Sequence, residues 1–148
     1  MESIPNLFFH RVEMRIVLDT NVLVSLLVFR DPRYAAIWSA WLGGGLTVIS
    51  DTDVAIELAR VLEYPQFAAR CDPTSAYETY RCHVQMQGPH APIRLPRCRD
   101  EDDQKFLLLA AAGTADVLVT DDKALLRLRR KLRFVIERPA AFLRRLSA

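Results

Sequence analysis

Short apolar runs alternate with amphipathic stretches along this chain. The first run, Ile16–Leu18, stops at Asp19, and apolar residues at helical spacing follow directly. A buried strand that leads at once into a helix explains this pattern, because strands covered on both faces read as continuous apolar runs. Later runs that begin at Leu46, Val117 and Phe134 have the same character. The chain therefore predicts buried strands separated by helices.

The apolar pattern and the positions of Gly and Pro together predict an order of elements. The predicted strands cover Arg15–Asp19, Leu46–Ile49, Ile93–Leu95, Val117–Val119 and Phe134–Ile136. One predicted helix starts near Asn21, and the others cover Arg33–Leu42, Thr52–Glu63, Thr74–Gln87, Asp103–Ala112, Ala124–Leu126 and Ala140–Leu146. Because strands and helices alternate, we predict an α/β fold with three layers, α/β/α, around a mostly parallel central sheet.

The length of 148 residues is that of one domain with a sizeable core. We predict a single domain over residues 14–148, since no repeat, low-complexity tract or linker interrupts it. Residues 1–13 are expected to form an N-terminal arm that is disordered or adds a strand, or to lie upstream of a natural start at Met14. They do not resemble a signal peptide, because Glu2 and Pro5 interrupt them and no small-residue cleavage site follows.

The composition narrows the class of protein. Hydrophobic residues make up 51% of the chain and charged residues 26%, which is typical of globular proteins. No apolar run approaches the roughly 20 residues that span a bilayer. The cysteines are odd in number and lack the paired spacing of zinc sites or disulfide frameworks, which favours a reducing cytoplasm; they are Cys71, Cys82 and Cys98.

Charge is distributed unevenly, although the net charge is only +2. Residues 123–148 contain nine Lys or Arg side chains and one acid, Glu137, whereas the rest of the chain is acidic overall. The basic section could hold a phosphate backbone. Alternatively, its side chains simply solvate the outer faces of the last helices, and the sequence leaves both interpretations open.

Acidic residues recur where predicted strands end and helices begin. Asp19 ends the first strand, Asp121 and Asp122 follow a later one, and Glu57 and Asp103 lie beside the apolar stripes of their helices. Ligands in open α/β sheets bind beyond the carboxyl ends of the strands, so we expect these carboxylates to converge there. Carboxylates that share a site cannot all stay ionised without a cation. Oxygen ligands without His or Cys suit Mg²⁺ or Mn²⁺.

Four short motifs carry a resemblance to a known family. In chain order they read Leu-Asp-Thr-Asn-Val-Leu-Val-Ser, Glu-Leu-Ala-Arg-Val-Leu, Arg-Asp-Glu-Asp-Asp-Gln-Lys-Phe-Leu and Val-Thr-Asp-Asp-Lys. Together they resemble the PIN-domain ribonucleases, and especially the branch that comprises toxins of toxin–antitoxin pairs. Each motif alone is weak, but all four occur in order, and the resemblance runs from about Arg15 to Phe142.

The resemblance implies a PIN-like fold and metal-dependent hydrolysis of RNA phosphodiester bonds, with Mg²⁺ or Mn²⁺ as cofactor. The implied metal ligands and catalytic residues are Asp19, Glu57, Asp103 and Asp122. In the third motif, Asp103 fits the family's position better than Asp100 or Asp102 does. The implied polar residues that orient the carboxylates are Thr20, Asn21, Thr120 and Asp121, and Asp121 is also the alternative to Asp122 as the fourth acid.

The resemblance also implies partners. They are an RNA substrate, a small antitoxin protein and a second copy of the chain in a homodimer, with no membrane involved. The candidate contacts to the RNA backbone are Lys123, Arg127, Arg129 and Arg130.

Two other functions fit parts of this sequence. A PIN fold could bind RNA or a protein without cleaving RNA, although all four acids are present. A receiver-like signalling domain also has an acidic sheet edge that binds Mg²⁺, but it needs an acid pair after its first strand. Here only Asp19 follows that strand, and the acid pair comes late. Metal-dependent RNA cleavage that Asp19→Asn abolishes would separate a nuclease from both.

Overall fold

A computed structural model describes residues 13–148. Its strands are β1 (Met14–Leu18), β2 (Leu46–Ser50), β3 (Val84–Met86), β4 (Val117–Val119) and β5 (Val135–Glu137). They form one sheet in the order β3-β2-β1-β4-β5, and every neighbouring pair is parallel. Most of the expected N-terminal arm, residues 1–12, lies outside the described residues.

Eight α-helices connect and flank these strands in the described part of the chain. They are α1 (Thr20–Leu27), α2 (Ala35–Leu42), α3 (Thr52–Leu62), α4 (Pro65–Ala68), α5 (Pro73–Cys82), α6 (Gln104–Ala112), α7 (Lys123–Leu126) and α8 (Pro139–Ser147). Short 3₁₀ turns occur at Pro32–Tyr34, Glu101–Asp103 and Arg129–Lys131. Within residues 13–148, no helix has both the length and the apolar character needed to cross a membrane.

Helices cover both faces of the sheet. Along β1, Ile16 and Leu18 belong to the core on one face, whereas Val17 belongs to the core on the other. The first core is completed from five helices by Leu23, Ile37, Leu58, Tyr80 and Phe142. The second is completed from α6 and α7 by Phe106, Leu107, Ala110 and Leu125. This burial on both faces explains the continuous apolar runs and confirms the three-layer α/β/α fold, with a sheet that is parallel throughout.

The segment after α5 differs from the sequence prediction. The helix predicted over Thr74–Gln87 ends at Cys82, and Val84–Met86 instead forms the edge strand β3. Val84 continues the helical spacing of Tyr80, but its Cα pairs with that of Val48 in β2. The Trp41 indole N–H also donates to the carbonyl oxygen of His83 at 2.7 Å, which holds the chain at the point where the helix stops.

The strand predicted over Ile93–Leu95 is wrong, because this segment has no regular secondary structure. Pro92 and Pro96 flank it, and proline has no N–H with which to extend a ladder of hydrogen bonds. The side chain of Leu95 instead packs against the core beneath α6. The apolar residues here therefore serve packing and not sheet pairing.

Candidate functional site

The pairing of β1 with β4 brings two polar residues together at the carboxyl edge of the sheet. Leu18 lies opposite Val119, so the next residues, Asp19 and Thr120, are neighbours although they are 101 positions apart in sequence. The Thr120 hydroxyl donates to Asp19 Oδ2, and the Val22 N–H donates to Asp19 Oδ1 at 2.9 Å. Asp19 is thus the N-cap of α1, which is why the strand ends one residue earlier than predicted.

Asp19 is a buried carboxylate, with 5% of its surface exposed. Burial raises its pKa to about 6, because removing the charged form from water outweighs the hydrogen bonds from Thr120 and Val22. The negative charges of Asp122 and Asp121 raise this pKa further. A buried, repelled carboxylate of this kind gains stability when a cation binds beside it.

Three more acids converge nearby. Asp100, Asp103 and Asp122 each place a carboxylate oxygen within 4.8 Å of the other two. Asp100 accepts from the Asp102 N–H at 3.0 Å and so begins the 3₁₀ turn that leads into α6. Asp122 caps α7 by accepting from the Ala124 N–H at 2.8 Å. The run of acids after residue 99 is therefore only partly explained by helix capping.

The Asp122 position is also fixed from the strand side. Its N–H donates to Thr120 Oγ1 at 2.9 Å, and the same hydroxyl group donates to Asp19. The threonine that follows β4 therefore positions both acids, Asp19 through its carboxylate and Asp122 through its backbone N–H.

Asp103 has the least satisfied carboxylate of this group. Its Oδ2 is buried, and no other group in residues 13–148 forms a hydrogen bond to it. Burial raises the pKa of Asp103 above its usual range, and the adjacent Asp122 carboxyl raises it further. The charges of Asp100 and Asp19 act in the same direction. An unpaired buried carboxylate oxygen among other carboxylates is suited to a hard divalent cation, so the residues present fit Mg²⁺ or Mn²⁺.

Glu57 lies beside this group but has its own partners. It comes from α3, and its Oε2 accepts from the Thr20 hydroxyl. Its Oε1 forms an ion pair with Lys105 Nζ at 2.5 Å. Among the described residues, neither Glu57 nor Asp19 belongs to the set of acids that lie within 4.8 Å of one another.

The two adjacent acids after β4 have different environments. Asp122 belongs to the acid group, whereas Asp121 is exposed and pairs with Arg138 at 3.0 Å. Of the polar residues expected to orient the acids, Thr20 and Thr120 contact carboxylates, and Asn21 is exposed in the first turn of α1.

A basic cleft lies next to the acid edge. It has a volume of about 300 Å³ and is lined by Leu126 and five cationic side chains, Lys123, Arg127, Arg129, Arg130 and Arg138. Lys123 directly follows Asp122, and Arg138 contacts Asp121. The cleft therefore borders the acids at two places, where Lys123 follows Asp122 and where Arg138 pairs with Asp121.

Sequence reasoning missed three residues of this region. It favours Asp103 over Asp100 as a metal ligand and so leaves Asp100 out. The signal for Asp100 was that four acids in a row are more than helix capping needs. Sequence reasoning also passes over Lys105 and Arg138. A lysine two residues after Asp103 is a visible signal, but its pairing with Glu57 depends on the packing of α6 against α3 and leaves no mark in the sequence.

Comparison with known proteins agrees with this geometry. No curated protein matches the chain. A family profile described as the PIN domain matches residues 15–124, which is well over half of the chain and includes all the acids of the site. The chain therefore belongs to the PIN-domain family, which has a nuclease-type fold and whose members are generally hydrolases that act on nucleic acids.

Proposed function

We propose that this protein is a metal-dependent endoribonuclease that hydrolyses RNA phosphodiester bonds. The observation that carries the proposal is the buried, unpartnered Oδ2 of Asp103 at the point where the carboxylates of Asp100 and Asp122 converge. Such an arrangement is costly without a cation. Asp103 and Asp122 are also two of the acids to which the resemblance assigns the metal.

The acids that would hold the metal in this proposal are Asp19, Asp103 and Asp122, with Asp100 in the same group. Glu57, the remaining acid that the resemblance implies, lies beside them and is paired with Lys105. A bound divalent ion lowers the pKa of its water and offsets charge on the phosphate in the transition state. Thr120 holds Asp19 and Asp122 in place, and Thr20 holds Glu57. The contacts of Asp122 with Thr120 and the acid group support it over Asp121 as the fourth family acid, while Asp121 orients Arg138.

The basic cleft supports RNA as the substrate. Its five cationic side chains adjoin the acids, so a strand whose scissile phosphate lies at the acids can place neighbouring phosphates among Lys123, Arg127, Arg129 and Arg130. Arg and Lys contacts of this kind bind the backbone without reading its sequence.

We further propose that the protein is the toxin of a toxin–antitoxin pair, acts in the cytoplasm as a homodimer and is held inactive by a small antitoxin. The four motifs support this finer assignment by their resemblance to such toxins. Expression of the wild-type chain alone should arrest growth, and expression of Asp19→Asn should not. A neighbouring reading frame for a small DNA-binding protein is expected beside the gene.

Cleavage of RNA by the purified chain tests the activity itself. With Mg²⁺ or Mn²⁺ present, wild type should cut RNA, and Asp19→Asn should lose at least about a hundredfold in rate, since one buried ligand carboxylate is removed. Asp72→Asn is the matched control, because Asp72 is a helix N-cap outside the acid group and Asn caps equally well. RNA binding without cutting by wild type would instead support the non-catalytic binding module.

A further inference from the structure

One cation of the chain itself already lies in the acidic edge. Lys105, in the first turn of α6, places its ammonium 2.5 Å from Glu57 Oε1 and donates to the carbonyl oxygen of Asp102 at 2.5 Å. Only 20% of the Lys105 side chain and 16% of the Glu57 side chain are exposed. The pair is thus shielded from the solvent screening that makes surface ion pairs weak.

The ammonium is held from more than one side. Its nitrogen lies 5.4 Å from the centre of the Phe106 ring, a distance at which a cation is attracted to an aromatic face. The other oxygen of Glu57 accepts from the Thr20 hydroxyl. Both oxygens of this carboxylate therefore have a partner from the protein.

The two parts of the acidic edge thus differ in what balances their charge. None of the ion pairs found within residues 13–148 involves Asp100, Asp103 or Asp122, and Asp103 Oδ2 has no hydrogen-bond partner there. Glu57 already has a positive partner. A divalent ion entering beside Glu57 would have to displace the ammonium or lie close to it, and like charges at such distances repel strongly in a shielded site.

We infer that Lys105 is a built-in counter-cation that restricts the acidic edge to one bound divalent ion. This inference rests on the metal-dependent function proposed above. The ion is held in the group formed by Asp100, Asp103 and Asp122, with Asp19 beside it. Glu57 is a positioning residue, because it contributes by anchoring Lys105.

The stoichiometry of Mn²⁺ binding tests this directly, with the full chain titrated through the millimolar range and free Mn²⁺ followed by its electron paramagnetic resonance signal. Wild type should bind one Mn²⁺ per chain. Lys105→Met should bind two, because the change frees Glu57 Oε1 and the Asp102 carbonyl oxygen as ligands. Lys131→Met removes the same charge at an exposed position and should bind one.

Two further variants keep the test decisive if Lys105→Met does not fold. Lys105→Gln should also bind two ions. In the wild-type background, Glu57→Gln should change Mn²⁺ affinity by less than about threefold, whereas Asp103→Asn should weaken it by more than about tenfold, because only Asp103 is a ligand.

The outcomes separate this inference from the function on which it rests. Two ions per wild-type chain, one ion per folded Lys105 variant, or equal losses of affinity in Glu57→Gln and Asp103→Asn would overturn the role of Lys105 and leave a metal-dependent nuclease intact. No Mn²⁺ bound by wild type would overturn both.

Discussion

The hydrogen bonds and the burial of Asp19 favour different protonation states of its carboxyl group. As the N-cap of α1 it accepts hydrogen bonds from Val22 and Thr120, which favour its charged form. Its burial and the nearby acids favour the neutral form, and burial prevails, since the pKa rises to about 6. A carboxylate kept at such a site for function should therefore reduce the stability of the metal-free protein.

We expect Asp19→Asn to stabilise the metal-free protein above pH 6. The folded-state pKa of Asp19 lies above the ordinary 3.8, so its contribution to stability is fully present below about pH 4 and is lost as pH rises through about 6. The loss is at most about 3 kcal/mol. Asn keeps a cap for α1 and carries no charge.

Urea unfolding with EDTA, at several pH values, measures this. The difference in unfolding free energy between Asp19→Asn and wild type should grow in favour of the variant from pH 4 to pH 6 and then stay level. Asp72→Asn, at an exposed helix N-cap, is the control for the Asp-to-Asn change itself. A variant that is less stable than wild type at pH 8 would contradict the idea that burial of the Asp19 charge destabilises the metal-free fold.

At the scale of elements, the edge of the sheet depends on the anchoring of α5. The Tyr80 hydroxyl donates to Ser50 Oγ at 2.5 Å, and both side chains are buried. Ser50 ends β2, and the strand that pairs with it, β3, starts four residues after Tyr80. This hydrogen bond therefore holds α5 against β2, the strand with which the chain pairs directly after α5 ends.

We expect Tyr80→Phe to destabilise the protein by about 1–2 kcal/mol, because the buried Ser50 Oγ loses the hydrogen bond that it accepts and keeps only the one that it donates to the Asp51 carbonyl oxygen at 3.3 Å. Tyr77→Phe is the matched control, since within residues 13–148 the Tyr77 hydroxyl is paired only with the exposed Arg81, and its removal should cost less than about 0.5 kcal/mol. Urea unfolding of the two variants against wild type gives both values. Equal destabilisation of the two variants would show that the hydrogen bond to Ser50 is not what anchors α5.

The sequence predicted elements well where their periodicity was unambiguous. The runs that form β1, β2 and β4 are apolar and β-branched, and each is predicted to within one residue. β3 was missed because Val84 extends the helical stripe of α5, and a three-residue edge strand carries too short a pattern to compete. Its formation depends on pairing with β2, which is tertiary information.

The sequence also predicted that Asp19 and Asp122 lie at one edge of the sheet. Asp19 and Asp122 follow strands, and parallel topology brings strand ends to one edge. Contacts between helices were not predictable, because which side chains meet depends on how α3 and α6 pack. The pairing of Glu57 with Lys105 is of this kind.

On the scale of the whole molecule, opposite charges lie side by side. The acid edge ends at Asp121, whose carboxylate pairs with Arg138 in the basic cleft. The proposed cation site and the proposed phosphate-binding surface thus adjoin each other, as the proposed cleavage of a polyanion requires.

We expect the double variant Arg127→Ala and Arg130→Ala to bind RNA more weakly while Mn²⁺ binding stays unchanged. The slope of log affinity against log salt concentration should fall by about 0.7 for each phosphate that the variant no longer neutralises. Fluorescence anisotropy with a labelled single-stranded RNA measures it. Arg94→Ala is the control, because Arg94 lines a separate cavity with Thr114 and Phe134. These two residues precede β4 and β5, so the cavity lies at the amino ends of the strands. An unchanged slope in the double variant would place the RNA elsewhere.

The pairing of β1 with β4 has a consequence for the order in which the chain is made. Asp19 leaves the ribosome well before Thr120, its partner 101 positions later. Asp103 and Asp122 likewise come later. A growing chain therefore cannot assemble the acid edge before residue 122 has been translated, however early Asp19 is made.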